Sequence, residues 1–370
     1  MATISAQERL AFQDSVKRLL ADRSAEADVR RTMETPEGYD PALWRQLAEL
    51  GVVGLVVDEA FGGAGGGAME LELVMEEAGA ALLCGPLLSS GVLAATLIAA
   101  LGDGAAAQRL LPGIADGSRI ATVALTGPAG VWVPDGVAVA ATPAGEDFAL
   151  DGAASFVTHG QIADVLLVAA RGADGLQIYE VDPKGAGVTI VALPTFDHTL
   201  RLARVDFVKS PARRIAAQGA PWDAVERALD MARVALAGEQ AGAGRRVLDF
   251  TIEYTKTRIQ FGRAIGGFQA VKHMAADLLL ESESAISAAR HAARALAQGD
   301  ADAKASVSLA AFVCAEAFST IAATAIQMHG GIAFTWAHPA HLYLRRARSG
   351  AQLFGTPAFY RERYIQQLGG

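Results

Sequence analysis

Apolar and polar positions along the chain change their spacing twice, and each change marks a change of expected element. In residues 5 to 22, Leu10, Val16, Leu19 and Leu20 recur at helical spacing. Pro41-Ala-Leu-Trp44 opens another helix, with proline in the first turn where its missing N–H costs nothing. Gly62-Gly63-Ala64-Gly65-Gly66-Gly67 reads as a loop before a long helical run from Ala68. A phosphate cradle is the other reading of that loop, but no βαβ context surrounds it. Residues 78 to 101 carry no charge and are long enough to span a bilayer. Gly85-Pro86 and Ser89-Ser90 divide this stretch into halves too short to cross, so a buried helix pair joined by a turn is expected.

From about residue 118 to 215 the spacing shortens. Apolar or β-branched runs appear at Ile120 to Leu125, Val137 to Ala141, Val165 to Ala170, Leu176 to Val181, Val188 to Leu193 and Leu202 to Val208. Turn residues such as Pro134-Asp135-Gly136 and Asp182-Pro183 separate several of them, which suits a small antiparallel sandwich or barrel. From Trp222 to about 350, long Ala-rich helices return, and their small side chains suit a four-helix bundle. The expectation is therefore an α+β multi-domain protein. It comprises an N-terminal helical domain (1–116), a middle antiparallel β-barrel or sandwich (117–215) and a C-terminal helical bundle (216–370).

Composition narrows the partners. Hydrophobic residues make up 52% of the 370 and charged residues 19%, so the chain can bury large cores. The net charge of −8 argues against nucleic acid as the main partner, because phosphate binding needs a basic face. Arg345-Arg346-x-Arg348 is a local exception, either an anion site or a solvated helix face. Cys84 and Cys314 lie far apart in apolar surroundings and suggest no metal site, so a reducing compartment is expected. The stretch Met1 to Arg9 has no apolar leader core, and a soluble, cytoplasmic protein without a membrane partner is expected.

Two motifs carry chemistry. One is Arg258-x-Gln260-Phe261-Gly262, continued by Phe268-Gln269. The other is Gln327-Met-His-Gly-Gly331, beginning 66 residues after Phe261 (327 − 261). Together they resemble the C-terminal half of acyl-CoA dehydrogenases, flavoenzymes that desaturate coenzyme A thioesters between the α and β carbons. Helices, then a β-domain, then a bundle is also that family's order, so the resemblance spans essentially the whole chain. It implies FAD as cofactor. Arg258, in one segment with Gln260 and Phe261, would pair with pyrophosphate oxygens of a neighbouring subunit's FAD, for which a planar guanidinium is suited. Gln269 and Gln327 would donate amide hydrogen bonds, and Gly330 and Gly331 would let backbone N–H groups approach the cofactor. Without the family, that glycine pair reads as a helix C-cap.

Ala124-Leu-Thr126-Gly-Pro128 resembles the family's T-E-P segment, and Phe156-Val-Thr158-His-Gly160 its W-I-T-N-G segment. The resemblance puts Thr126 and Thr158 near the flavin ring, where fixed donors stabilise charge arriving with hydride. Phe156 and His159 replace the usual Trp and Asn. Thr158 taken alone is an ordinary strand residue. Thr356, after Gly355, joins the cofactor set by the same resemblance.

The catalytic carboxylate is absent from both positions where the family carries it. In Leu353-Phe354-Gly355-Thr356 the base position holds Phe354. The other position, 29 residues before Phe261 (261 − 232), holds Ala232, next to Arg233. Glu239 shares the helical face of Ala232 but is displaced by about 10 Å along the axis. It serves as base only if the substrate is shifted; otherwise it is a buried carboxylate paired with a cation such as Arg245. His329 and His159 are further base candidates, against packing roles.

Two enzyme readings and one binding reading follow. In the first, the chain is the base-lacking, FAD-holding subunit of a two-gene α2β2 complex, resembling bacterial steroid side-chain enzymes; the small subunit of a pimeloyl-CoA-type enzyme is a variant. In the second, it is a self-sufficient homo-oligomer with Glu239 as base. In the third, it is a flavin-free scaffold or regulatory subunit. Electron-transfer flavoprotein is a partner by resemblance. The acyl group is undefined, though the Ala- and Gly-rich helices are compatible with a roomy pocket for a bulky chain.

Overall fold

Ser5 opens the first helix with a capping box, its hydroxyl accepting from the Glu8 amide while the Glu8 carboxylate accepts from Ser5 N. The computed structural model describes residues 5–369, so the first four residues of the expected leaderless N-terminus lie outside the described residues. Helices α1 (Ala6–Arg23), α2 (Glu26–Met33), α3 (Pro41–Glu49) and α4 (Ala68–Ala80) follow. Asp40 caps α3 through the Ala42 and Leu43 amides, one turn ahead of the backbone Pro41 cannot supply. A π-helix, Leu87–Ala94, then runs without a break into α5 (Ala95–Leu101), and α6 (Gly104–Ala115) is capped by Asp103. Ser89-Ser90 is therefore not the second break expected from sequence. The Ser89 hydroxyl donates to Pro86 O and the Ser90 hydroxyl accepts from Ala121 N, so both side chains serve the backbone instead of interrupting it.

Seven strands follow: β1 (Ala121–Ala124), β2 (Val139–Ala144), β3 (Asp147–Thr158), β4 (Val165–Gly172), β5 (Gly175–Val181), β6 (Val188–Leu193) and β7 (Leu202–Ile215). The rest is α7 (Pro221–Thr257), a hairpin of β8 (Ile259–Gln260) and β9 (Arg263–Ala264), then α8 (Gln269–Gln298), α9 (Ala303–His329), α10 (Ala340–Gly350) and α11 (Pro357–Gln367).

By internal contacts the chain forms two units. The first comprises Thr32–Gly67 and Cys84–Ala232. Its strands β4, β2, β3, β7 and β5 close on themselves through the β4–β5 pairing, with β1 beside β4 and β6 beside β7. Closure removes free edges. The barrel is mixed, because β1 and β2 both run parallel to β4. Leu150, Leu166, Val168, Val205 and Phe207 fill it. The sequence reading lacked β3. Gly152 sits there at φ +126, where a Cβ would come within 2.6 Å of Ala138 O, and register shifts on either side blur the alternation.

The second unit contains the described residues up to Arg31, then Ala68–Leu83 and Arg233 onward. Here α4 and α7 touch backbone to backbone. A Cβ on Gly79 would lie 1.9 Å from Glu239 O, and one on Gly242 1.9 Å from Glu76 O. This close approach buries two carboxyls. Arg290 grips Glu76 with two bonds of 2.9 Å, whereas burial and the neighbouring Glu76 charge push the Glu72 carboxyl up to about 9. The segment Ala303–Phe334 is apolar enough by composition to cross a membrane, but α9 packs against α8, α10 and α11 as a core helix.

Candidate active site

The Arg258 to Gln269 motif folds as a projection from the end of α7. Gln260 pairs with Arg263 across a two-residue turn in which Phe261 (φ 52) and Gly262 (φ 77) are both left-handed, as the twist of a tight hairpin demands. Ile265 N bonds Arg258 O, and the Arg263 guanidinium lies 4.0 Å over the Phe268 ring, which fixes the base of the projection. Phe261 is 92% exposed and meets the Phe268 ring edge-on at 6.1 Å. Arg258 and Gln269 are exposed too, and no acidic partner holds Arg258 among the described residues. Gln260 turns its amide back to Ile259 O.

At the end of α9, Gln327 faces a groove between α8 and α9 that also includes Met274, Asp277 and Thr324. Gly330 takes φ 66, ψ −147, and its N–H bonds back to Ile326 and Gln327 carbonyls. The C-cap reading of this glycine therefore holds, and its amide is used by the helix. At both Gly330 and Gly331 a Cβ would meet nothing within 4 Å, so the backbone faces open space. His329 beside them is a packing histidine. Its ring stacks on Tyr254 at 4.4 Å, Nδ1 donates to Ala325 O, and burial lowers its basicity so that it stays neutral.

The residues resembling the ring segments lie in the first unit. Thr126 is buried, and its hydroxyl donates to Val131 O at 2.9 Å. Thr158 is buried with its carbonyl accepting from the Thr122 hydroxyl. Phe156 (φ 57) and His159 (φ 54) are both left-handed, and the Phe156 ring lies under Gly130. His159 is buried with Nδ1 3.2 Å from the Ser89 hydroxyl. The Thr126 proton is thus committed within the chain.

At the expected base position, Phe354 is 1% exposed, left-handed at φ 62, and offers no proton acceptor in its side chain. Glu239 is buried, and its Oε1 accepts from Arg346 Nη1 at 2.7 Å. The expected partner, Arg245, instead joins Asp249 and Glu283. Arg346 also reaches Leu83 O and Arg345 lies over the Trp336 ring, while Arg348 is exposed, so the cluster divides between a buried structural arginine and a solvated helix face. Thr356 caps α11, its hydroxyl accepting from Phe359 N. Tyr360, which the motifs did not flag, donates to Phe354 O at 2.8 Å and receives Arg233 Nε at 3.4 Å. The second unit holds a cavity of about 390 Å³ among Leu20, Val29, Ala80, Phe250 and Leu342, whereas a void of about 10 Å³ remains among Leu236, Gln240, Ala311, Leu353 and Gly355, with Arg233 and Tyr360 in its lining.

Helices, barrel, bundle and the two motif loops together define a flavin-dependent acyl-CoA oxidoreductase. The chain belongs to the acyl-CoA dehydrogenase family, whose N-terminal domain matches residues 6–118 and whose C-terminal domain matches residues 219–368. It is an oxidoreductase acting on acyl-CoA, with FAD as cofactor. It is 35% identical to acyl-CoA dehydrogenase IpdE2 of Mycolicibacterium smegmatis over 354 residues, covering 95% of this chain and 96% of that one. A solved Tcur3481-Tcur3483 steroid ACAD variant is 30% identical with TM-score 0.88, covering 98% of each chain. The ChsE4-ChsE5 complex of Mycobacterium tuberculosis is 28% identical with TM-score 0.90, covering 100% of this chain and 99% of that one.

Proposed function

We propose that this chain works in α,β-dehydrogenation of an acyl-CoA thioester as the cofactor-holding, base-lacking subunit of a two-gene complex. A second acyl-CoA dehydrogenase subunit supplies the carboxylate, in an α2β2 assembly. The observation that carries this reading is Phe354, buried and unable to accept a proton where the family's base stands, while Ala232 fills the alternative position. FAD held there would supply the acceptor for the hydride of the β carbon. This chain's part is to hold the dinucleotide tail: Arg258 on the pyrophosphate, Gln327 and Gln269 as amide donors, and Gly331 giving close backbone approach. All of these are exposed in the chain, as groups meant for a neighbour's cofactor are. Glu239 is unsuited as base, since its Arg346 ion pair holds the carboxylate in place and competes for its lone pairs.

The likeness to a steroid ACAD and to a complex of two named subunits supports a steroid-derived acyl group and a heteromeric partner. Electrons then leave for an electron-transfer flavoprotein. Co-expression with a neighbouring acyl-CoA dehydrogenase gene that retains its glutamate, followed by a flavin count per protomer, tests the reading. A colourless or insoluble chain alone and a yellow, active pair is the expected result. A chain that purifies yellow alone and is bleached by acyl-CoA contradicts it, and a pair without flavin would return the protein to a scaffold role.

A further inference from the structure

The cavity of about 390 Å³ in the second unit takes no part in the cofactor motifs or the base position. It lies among α1, α2, the end of α4, α7 and the start of α10. Its volume falls in the range of small-molecule sites, roughly 300–1,000 Å³. Leu20, Val29 and Leu342 are buried in its wall, and the half-buried Phe250 ring lines it too. Such a wall favours an occupant with an apolar body over water.

The charges of the described lining are Lys17, Glu26, Glu77 and Arg246. Glu77 accepts from Gln13 Nε2 at 2.9 Å and lies in the field of Lys17. Glu26 accepts from Arg30 Nε at 2.8 Å. Arg246 differs from both pairs. It is exposed, and its hydrogen-bond partner is the Tyr343 hydroxyl, which donates its own proton to Ala80 O at 2.7 Å. Among the described residues no carboxylate pairs with this guanidinium. An apolar wall beside one cation that lacks a counter-charge complements an apolar body with a single anionic head, and a guanidinium fork suits a carboxylate. Coenzyme A, with its several phosphate charges, finds too few cations here.

We infer that this cavity binds a free apolar carboxylic acid, its carboxylate on Arg246 and its body against Leu20, Val29, Phe250 and Leu342. The inference goes beyond the subunit reading and does not depend on it, because the wall and the cation all belong to this chain. The test is calorimetric titration of the full-length chain, in complex with its partner subunit and saturated with octanoyl-CoA, with dodecanoate below its micellar concentration. One dodecanoate should bind per copy of this chain, about fourfold more weakly for each methylene removed. Dodecanol, which keeps the chain and lacks the charge, should bind roughly tenfold more weakly. Arg246→Ala should weaken dodecanoate by the same factor and leave dodecanol unchanged. Ala25→Trp, at an exposed lining position, should fill the space and abolish both. Absence of saturable dodecanoate binding overturns the inference, as does binding indifferent to Ala25→Trp or equal affinity for dodecanoate and dodecanol. Binding by the chain alone that vanishes in the complex gives the space to a partner side chain and overturns it as well. Should the variants fail to fold, a diazirine-bearing dodecanoate decides with the wild type: label on α1, α2 or α10 supports the site, and label confined to other segments overturns it. A chain that purifies without a partner is titrated as it stands, so failure of the subunit reading leaves this test intact.

Discussion

Two phenylalanines of the second unit share a backbone conformation that side chains rarely adopt and use it in opposite ways. Phe261 at φ 52 stands in the hairpin after α7, 92% exposed, while Phe354 at φ 62 is sealed in the turn before α11. Each left-handed residue costs about 1–2 kcal/mol. For Phe354 the return is visible within the chain, in packing and in the Tyr360 bond to its carbonyl. For Phe261 the return among the described residues is the tight hairpin turn and an edge-on contact with the Phe268 ring. A strained, exposed aromatic is the mark of a surface shaped for another molecule. On the proposed reading, the contrast separates a projecting region that serves cofactor and partner from an interior that holds itself together, although the family's chemistry would place the catalytic group in that interior.

Substitutions sharpen the contrast if interior changes cost stability and loop changes cost cofactor or partner binding. The largest effect is expected at Glu239→Ala, which leaves Arg346 buried without its carboxylate and should destabilise the chain by about 3–5 kcal/mol in denaturant melts. Turnover per folded complex should stay unchanged; a selective loss of turnover in Glu239→Gln would instead revive the carboxylate as base. Glu72 comes next. Its acid form is favoured in the fold by burial, with the carboxyl raised to about 9 from 4.5. Its contribution to stability is therefore full below about pH 4.5 and declines as pH rises toward 9. Glu72→Gln, which cannot ionise, should open a gain in melting temperature over wild type that widens from pH 6 to 9; a constant difference contradicts the assignment.

Arg258→Ala probes the projecting region. Removing one charge-assisted phosphate contact should weaken FAD binding by the complex by about 2 kcal/mol, roughly 30-fold, while the melt of the chain alone stays unchanged. The smallest effect is at Phe261→Gly. Releasing left-handed strain should stabilise the isolated chain by about 1 kcal/mol and weaken assembly with the partner in sedimentation experiments. Loss of chain stability there would mean that Phe261 serves the fold after all.

How much of this was legible follows from sequence distance. The order of helices, barrel and bundle, and the exposed motif loops, are local in sequence and came through in spacing and turn residues. Strand β3 did not, because Asp151 and Gly152 interrupt its alternation, and the parallel β1–β4 pairing joins residues more than forty apart, such as Ala121 and Val165. Position 354 was readable as a missing base, but the bond between Arg233 and Tyr360 close to it was not, because it spans 127 residues. Glu239 was assigned the wrong cation for the same reason: Arg245 lies on its own helix, whereas Arg346 arrives from 107 residues away. Ser89-Ser90 looked like a break only because hydroxyls that cap a helix and hydroxyls that support one are the same in sequence.

Anaerobic single-turnover mixing of the isolated chain, supplied with free FAD, against octanoyl-CoA tests the separation most directly. No loss of flavin absorbance from the chain alone, with full bleaching once the glutamate-bearing partner is added, is the predicted result. Rapid bleaching of the chain by itself would contradict it.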